Sequence, residues 1–225
     1  MTAKKTLERR GSRTVNARKS TSDTRRVSVL VTVTSSGKLL KALLIFKGVT
    51  VGGRIKNEFP SYPVDNLYGT QPNAWCNEYH MKNWIETILK PYVATAPPGV
   101  VPFLLLDKYK CHLMPSIIER IEALGVEVEH IPSGCTGLVQ PVDVGIGKPL
   151  KNHCRALWNA WMMAKGVDEA VIKPPTRKEI AEWIQESFSL ISADTVRNAW
   201  RHNPYAYFVP TVNNRHEETV LVAAV

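Results

Sequence analysis

The chain has 225 residues, with 29 Lys and Arg against 20 Asp and Glu, a formal charge of +9. That length can bury one sizeable core, and the composition excludes collagenous, disulfide-stapled and low-complexity classes. No apolar run reaches membrane-spanning length and no apolar signal segment follows the basic start, so an intracellular, membrane-free location is expected.

The charge is unevenly placed. Residues 1–26 carry Lys4, Lys5, Arg9, Arg10, Arg13, Arg18, Lys19, Arg25 and Arg26 against Glu8 and Asp23, leaving +7 there and +2 over the rest. A basic arm on a near-neutral body suits a polyanion, with Arg9, Arg10 and Arg13 as candidate nucleic-acid contacts. A solvated loop or an import signal would look the same. Cys76, Cys111, Cys135 and Cys154 are far apart and form no C-x-x-C pair. Reduced, mostly buried thiols are therefore expected, with no zinc site.

Val27–Thr34 alternates and is rich in β-branched residues, which predicts a strand. Ser35–Lys38 is a turn, and the apolar run Leu39–Phe46 completes a hairpin. Residues 48–74 read as a long loop, with Gly52, Gly53, Pro60, Pro63, Gly69 and Pro72. Asn77 can cap a helix with an apolar stripe of Tyr79, Trp84, Ile85 and Ile88, ending at Pro91. Phe103–Leu106 is a short apolar run that reads as a buried strand. Ser116–Leu124 is an amphipathic helix stopped by Gly125. Val126–Ile131 alternates as a strand, and 132–137 is loop. From Val142 a long helix carries Ile146, Leu150, Leu157, Trp158 and Trp161, its first turns disturbed by Gly145, Gly147 and Pro149. Thr176 and Glu179 form a capping box for a further helix, and Ser192 caps another. The tail after Pro210 is weakly patterned and is expected to fray. This order predicts an α/β fold with three segments: a basic arm 1–26, a core 27–166 and a C-terminal helical extension with its tail, 167–225.

The chemistry centres on Asp107, at the carboxyl end of the Phe103–Leu106 strand, where ligands of open sheets gather. An ionised acid there needs a cation, capping amides or a metal ion as partner. A second acid, Asp143, lies at a loop-to-helix junction downstream. We read the two as converging on a divalent metal suited to phosphodiester chemistry, since Mg²⁺ takes carboxylate oxygens and keeps several waters. Taken alone, Asp143 also fits a plain helix cap. Lys108 can pair with Asp107 or contact phosphate. His112 can orient a metal-bound water or simply hydrogen-bond at the start of the next helix. Gln140 shapes the loop that aims Asp143. Lys148, Lys151 and Arg155 share one helix face that suits either backbone phosphates or solvent. Trp158, Trp161, Trp183 and Trp200 read as packing residues.

Leu104-Leu105-Leu106-Asp107-x-x-x-x-His112, then Ile131-Pro132-x-x-Cys135-Thr136-Gly137-Leu138-Val139-Gln140-Pro141-Val142-Asp143-Val144-Gly145 and Lys148, resemble the DDE superfamily of transposase-type endonucleases, in its pogo branch with jerky-like and centromere-protein-B-like relatives. Gly48, Trp75, Trp84 and Arg197-Asn198-Ala199-Trp200-Arg201 also fit, so the resemblance covers residues 25–205. It implies a ribonuclease-H-like mixed sheet flanked by helices, and DNA cutting and joining with two Mg²⁺ or Mn²⁺ ions held by three acids. Asp107 and Asp143 match the second and third. It further implies a nuclear protein with DNA as partner, and it leaves a homodimer open. The first acid belongs on a strand preceding the hairpin. Glu8 and Asp23 are the only acids before Val27, and neither lies in an apolar run. The expectation is therefore a sheet without its first strand, an unpaired hairpin edge and an inactive site. The family often has Asn where this chain has Lys108. The rival expectation is a DNA- or chromatin-binding module that kept the fold and lost the chemistry.

Overall fold

The structure is a computed structural model that describes residues 26–49, 54–164, 174–201 and 203, and the backbone of 220–224. The basic-arm residues Arg9, Arg10 and Arg13 lie outside the described residues. Six strands form one mixed sheet: β1 Val27–Thr34, β2 Leu43–Lys47, β3 Leu67–Gln71, β4 Phe103–Leu106, β5 Glu127–His130 and β6 Val220–Ala224, in the order β3-β2-β1-β6-β4-β5.

β1 and β2 form the expected antiparallel hairpin, with Leu30 opposite Leu43 and Val27 opposite Phe46. The turn needs its glycine. Gly37 sits at φ +100, a region favourable only to Gly, and a Cβ there would meet the Ala193 carbonyl at 2.8 Å. β4 and β5 pair in parallel, with Leu106 opposite His130.

Two features depart from the expectation. Residues 48–74 are not a plain loop: a 3₁₀ helix, Arg54–Ser61, leads to β3, which extends the sheet parallel to β2. Phe59, Tyr62 and Tyr68 pack together and fix that connection. These aromatics span the change from the 3₁₀ helix to β3, so their spacing follows no single period. Second, β1 has no open inner edge. β6 lies beside it, antiparallel, with Val31 opposite Ala224 and Thr34 opposite Leu221. β6 also runs parallel to β4, with Leu106 opposite Ala223. The tail expected to fray thus contributes a central strand at 220–224.

Alternation along β1 suggests one wet face, yet Thr32 and Thr34 are buried. The reason is a helical layer on each face. On one face lie α1 Glu78–Trp84, a π turn Ile85–Leu89, α2 Lys90–Val93 and α3 Pro115–Glu122. Their Met81, Trp84, Ile85, Leu89, Ile117 and Ile121 bury Leu30, Leu43, Leu104 and Leu106. The Trp84 indole N–H donates to Thr32 Oγ1 at 3.0 Å, which satisfies both groups inside the core. The π turn carries the helix through Pro91 to Val93, because the Lys90 amide bonds back to the Ile85 carbonyl. The helix does not stop at Pro91 as the sequence suggested. Tyr79, placed on the apolar stripe, is instead exposed.

The other face carries α4 Thr136–Val139, a π turn Val142–Ile146, α5 Gly147–Ala164, α6 Arg177–Ser189 and α7 Ala193–Trp200. Val31, Val33, Phe46 and Leu105 share a core with Ile146, Leu150, Ile184, Phe188, Val196 and Trp200. Both expected caps form: Thr176 with Glu179, and Ser192 accepting from the Thr195 amide. Trp158, Trp161 and Trp183 join α5 to α6 with ring centroids 5.5–6.2 Å apart, so they pack helices, as expected.

Candidate functional site

The end of β4 projects Asp107 to the sheet's carboxyl edge, where it turns sharply into a 3₁₀ helix, Lys110–Leu113. The Tyr109 amide donates to Asp107 Oδ1 at 3.1 Å, a local turn that such short carboxylates favour. His112 Nδ1 lies 2.6 Å from the same oxygen, with its ring wholly buried and the Asp107 side chain 16 % exposed. Gln140 Nε2 donates to Oδ2 at 3.4 Å and is itself 1 % exposed. Behind the histidine, His130 at the end of β5 contacts the His112 carbonyl through Nε2 at 3.2 Å.

The electrostatics follow. Burial opposes ionisation of Asp107, but the hydrogen bond and charge of His112, the Tyr109 amide and Gln140 outweigh it, so its carboxyl is held below its ordinary value. Burial likewise disfavours protonated His112, but Asp107 overcomes this and raises the imidazole above its ordinary value. The pair is thus a carboxylate and an imidazolium over a common pH range. The cation beside Asp107 is His112, whereas Lys108 is exposed and makes no ion pair with it. His112 Nε2 is buried without a partner, so this ring turns its free nitrogen to the interior, not to a solvent-side ligand.

The Thr136–Asp143 segment reaches Asp107 through Gln140. Asp143 lies three residues further on, inside the first turn of the π segment. Pro141 holds the capping place, so Asp143 is not the N-cap. Asp143 is exposed, and among the described residues no hydrogen bond or ion pair joins it to Asp107. Lys148, Lys151 and Arg155 are all exposed on α5. The structure therefore brings Asp107, His112 and Gln140 together, with Asp143 on the same segment as Gln140.

Sequence spacing missed two neighbours. Cys76, just before α1, lies beside Cys111, the neighbour of His112; their interaction pushes the Cys76 thiol up and the Cys111 thiol down. Trp75 and Tyr79 expose 54 % and 57 % of their surface at the start of α1, with Lys56 Nζ 6.0 Å from the Tyr79 ring centre. Two aromatics four apart flanking a capping Asn77 were the available signal, but helical periodicity assigned Tyr79 to the core.

A metal centre of the expected kind needs several carboxylates on one spot. Among the described residues no group of three or more His, Cys, Asp or Glu side chains could hold an ion. The donors of Asp107 are already engaged with protein partners, so these residues do not form a complete cation site.

Residues 24–200 match the family described as DDE superfamily endonuclease. The chain is 25 % identical over 179 residues to a mouse "Pogo transposable element with KRAB domain", covering 78 % of this chain and 28 % of that protein. The human protein of the same description is 23 % identical over 194 residues, covering 85 % and 31 %. A human "Pogo transposable element with ZNF domain" is 21 % identical over 130 residues, covering 58 % and 9 %. The chain thus spans less than a third of these curated relatives. No solved structure matches.

Proposed function

The chain belongs to the DDE superfamily endonucleases, in a pogo-like, transposase-derived form, and on that premise we propose that it is a nuclear, DNA-binding domain that engages DNA without cutting it. The observation that carries this reading is the state of Asp107. Its two oxygens are taken by His112, the Tyr109 amide and Gln140. The strand hydrogen-bonded beside β4 reads Val-Leu-Val-Ala-Ala and contains no acid. Two Mg²⁺ or Mn²⁺ ions, where a full acid set holds them, activate a water or 3′-hydroxyl and stabilise the leaving oxygen. Asp107 and Asp143 alone make no such set here.

Binding needs less. Lys148, Lys151 and Arg155 are exposed on α5, which begins at the π turn carrying Asp143. Basic side chains on one helix face suit backbone phosphates, and the exposed Trp75 and Tyr79 offer ring faces to unpaired bases. The antiparallel hairpin followed by parallel β4 and β5 supports a ribonuclease-H-like sheet. A second reading, residual nuclease activity, is favoured by one detail: the Gln140 contact to Oδ2 is long at 3.4 Å, so that oxygen is the one a cation could recruit.

Incubation of the purified chain with supercoiled plasmid and Mn²⁺ separates the two. The expected result is a retarded plasmid with no nicks. Nicking that disappears in Asp107→Asn would overturn the non-cutting reading. Calorimetry with Mn²⁺ on the same pair of proteins gives a second readout, and equal heats for both remove Asp107 from any metal role.

A further inference from the structure

Trp75 and Tyr79 are each more than half exposed, and large ring surfaces left in water are unfavourable until something covers them. Neither ring is carried by a loose loop. Gln71, the last residue of β3, accepts through Oε1 from the amides of Asn73 at 2.6 Å and Trp75 at 3.1 Å. Its carbonyl accepts from the Ala74 amide at 2.9 Å. Ala74 is wholly buried and held at φ +58, a left-handed conformation that a residue with a Cβ adopts only at a cost. On the other side, Asn77 caps α1 by accepting from the His80 amide at 3.1 Å. The buried His80 ring meets the Tyr79 ring edge-on, with centroids 5.6 Å apart. The turn is thus fixed at both ends while its two large rings stay outside.

Charge singles out the ligand. Lys56 Nζ lies 6.0 Å from the centre of the Tyr79 ring, and Arg54 is exposed on the same 3₁₀ helix. The neighbouring acid, Glu78, is already engaged, with Lys82 at 2.7 Å and the Ser116 hydroxyl at 2.7 Å. Ring faces beside cations suit a polyanion whose own flat groups are free to stack. Single-stranded DNA is such a polyanion, whereas a closed duplex keeps its base faces inside the stack. Strand directions give the position. β3 is parallel to β2, β2 and β6 are both antiparallel to β1, and β6 is parallel to β4. β3 and β4 therefore run the same way, and the turn carrying Trp75 leaves the sheet at the edge where Asp107 stands.

We propose that the turn at 71–79 is a single-strand platform: unpaired DNA bases stack on Trp75 and Tyr79, Lys56 contacts the phosphate beside them, and the domain prefers single-stranded or frayed DNA to closed duplex. This rests on the DNA-binding reading and adds to it the form of DNA held at the Asp107 edge.

Fluorescence anisotropy of the full chain compares a short labelled oligo(dT) with a labelled duplex. The expected result is tighter binding of the single strand. Trp75→Ala with Tyr79→Ala should lower single-strand affinity by about tenfold or more, since each lost stack is felt on that scale. Trp75→Phe with Tyr79→Phe should restore most of it, because the ring face does the stacking. Lys56→Gln should weaken single-strand binding and flatten its salt dependence. If the alanine pair fails to fold, quenching of tryptophan fluorescence by oligo(dT) carries the test: it should be present in wild type and largely lost in Trp75→Phe. Single-strand binding no tighter than duplex binding, or undiminished single-strand affinity in the alanine pair, overturns the proposal and leaves the DNA-binding reading standing. Failure to bind either form overturns both.

Discussion

His112 Nδ1 sits 2.6 Å from Asp107 Oδ1, and this contact ties the end of β4 to the start of the helical layer that follows it. A buried pair of this kind stabilises only while both partners are charged and present. Replacing His112 by Ala leaves a mostly buried carboxylate without its cation, and the expected loss is about 3–5 kcal/mol. Chemical denaturation of the variant against wild type measures it.

The same pair sets a pH dependence. The folded-state value of His112 is raised above its ordinary 6.5, so its contribution is full below 6.5 and is lost as pH rises through the raised value. That of Asp107 is lowered below its ordinary 3.8, so its contribution is full above 3.8 and is lost as pH falls through the lowered value. His80 acts in the opposite sense. Burial depresses it from 6.5 to about 4, so the unfolded chain takes up a proton that the folded one refuses, and stability falls between those values. The difference in stability between wild type and His112→Gln removes the His80 effect, since both proteins carry it. That difference is expected to be flat from 3.8 to 6.5 and to shrink on either side. A difference that grows above neutral pH would refute the assigned pair.

Gly145 meets Ala199 where the π turn crosses α7. A Cβ at Gly145 would stand 2.7 Å from the Ala199 Cβ and 3.1 Å from its Cα. Gly145→Ala gains up to about 1 kcal/mol of helix propensity, but overpacking against backbone costs about 1–3 kcal/mol. A net loss is expected, and the paired change Gly145→Ala with Ala199→Gly should recover part of it.

Thr32→Val keeps the shape of β1 and removes the acceptor for the Trp84 indole. The orphaned N–H should cost about 1–3 kcal/mol. Trp84→Phe in the Thr32→Val background should then cost less than in wild type, which a double-mutant cycle by urea unfolding reads directly.

Alanine at Lys148, Lys151 and Arg155 together should weaken DNA binding at low salt and lower the slope of log K against log salt by about 2–3, since each lost phosphate contact contributes a little under one. An unchanged slope would assign that face of α5 to solvent.

Local signals in the chain determined much of this protein. The hairpin, β4, β5, the caps at Asn77, Thr176 and Ser192, and Asp107 at a strand's end all rest on short-range periodicity or on one side chain meeting a nearby amide. Such effects act over a few residues and are written in the order of the amino acids. Tertiary structure alone decided the rest. The apolar run at 220–224 can be read locally as a strand, but its central place between β1 and β4 is decided only by the two edges it pairs with. The cation beside Asp107 is His112 rather than the adjacent Lys108, because the 3₁₀ turn folds a buried ring back onto the carboxylate while the lysine remains in water. Gln140 meets Asp107 from 33 residues further along the chain. Partners so distant along the chain are chosen by burial and hydrogen-bond satisfaction, which depend on what fills the space and not on spacing.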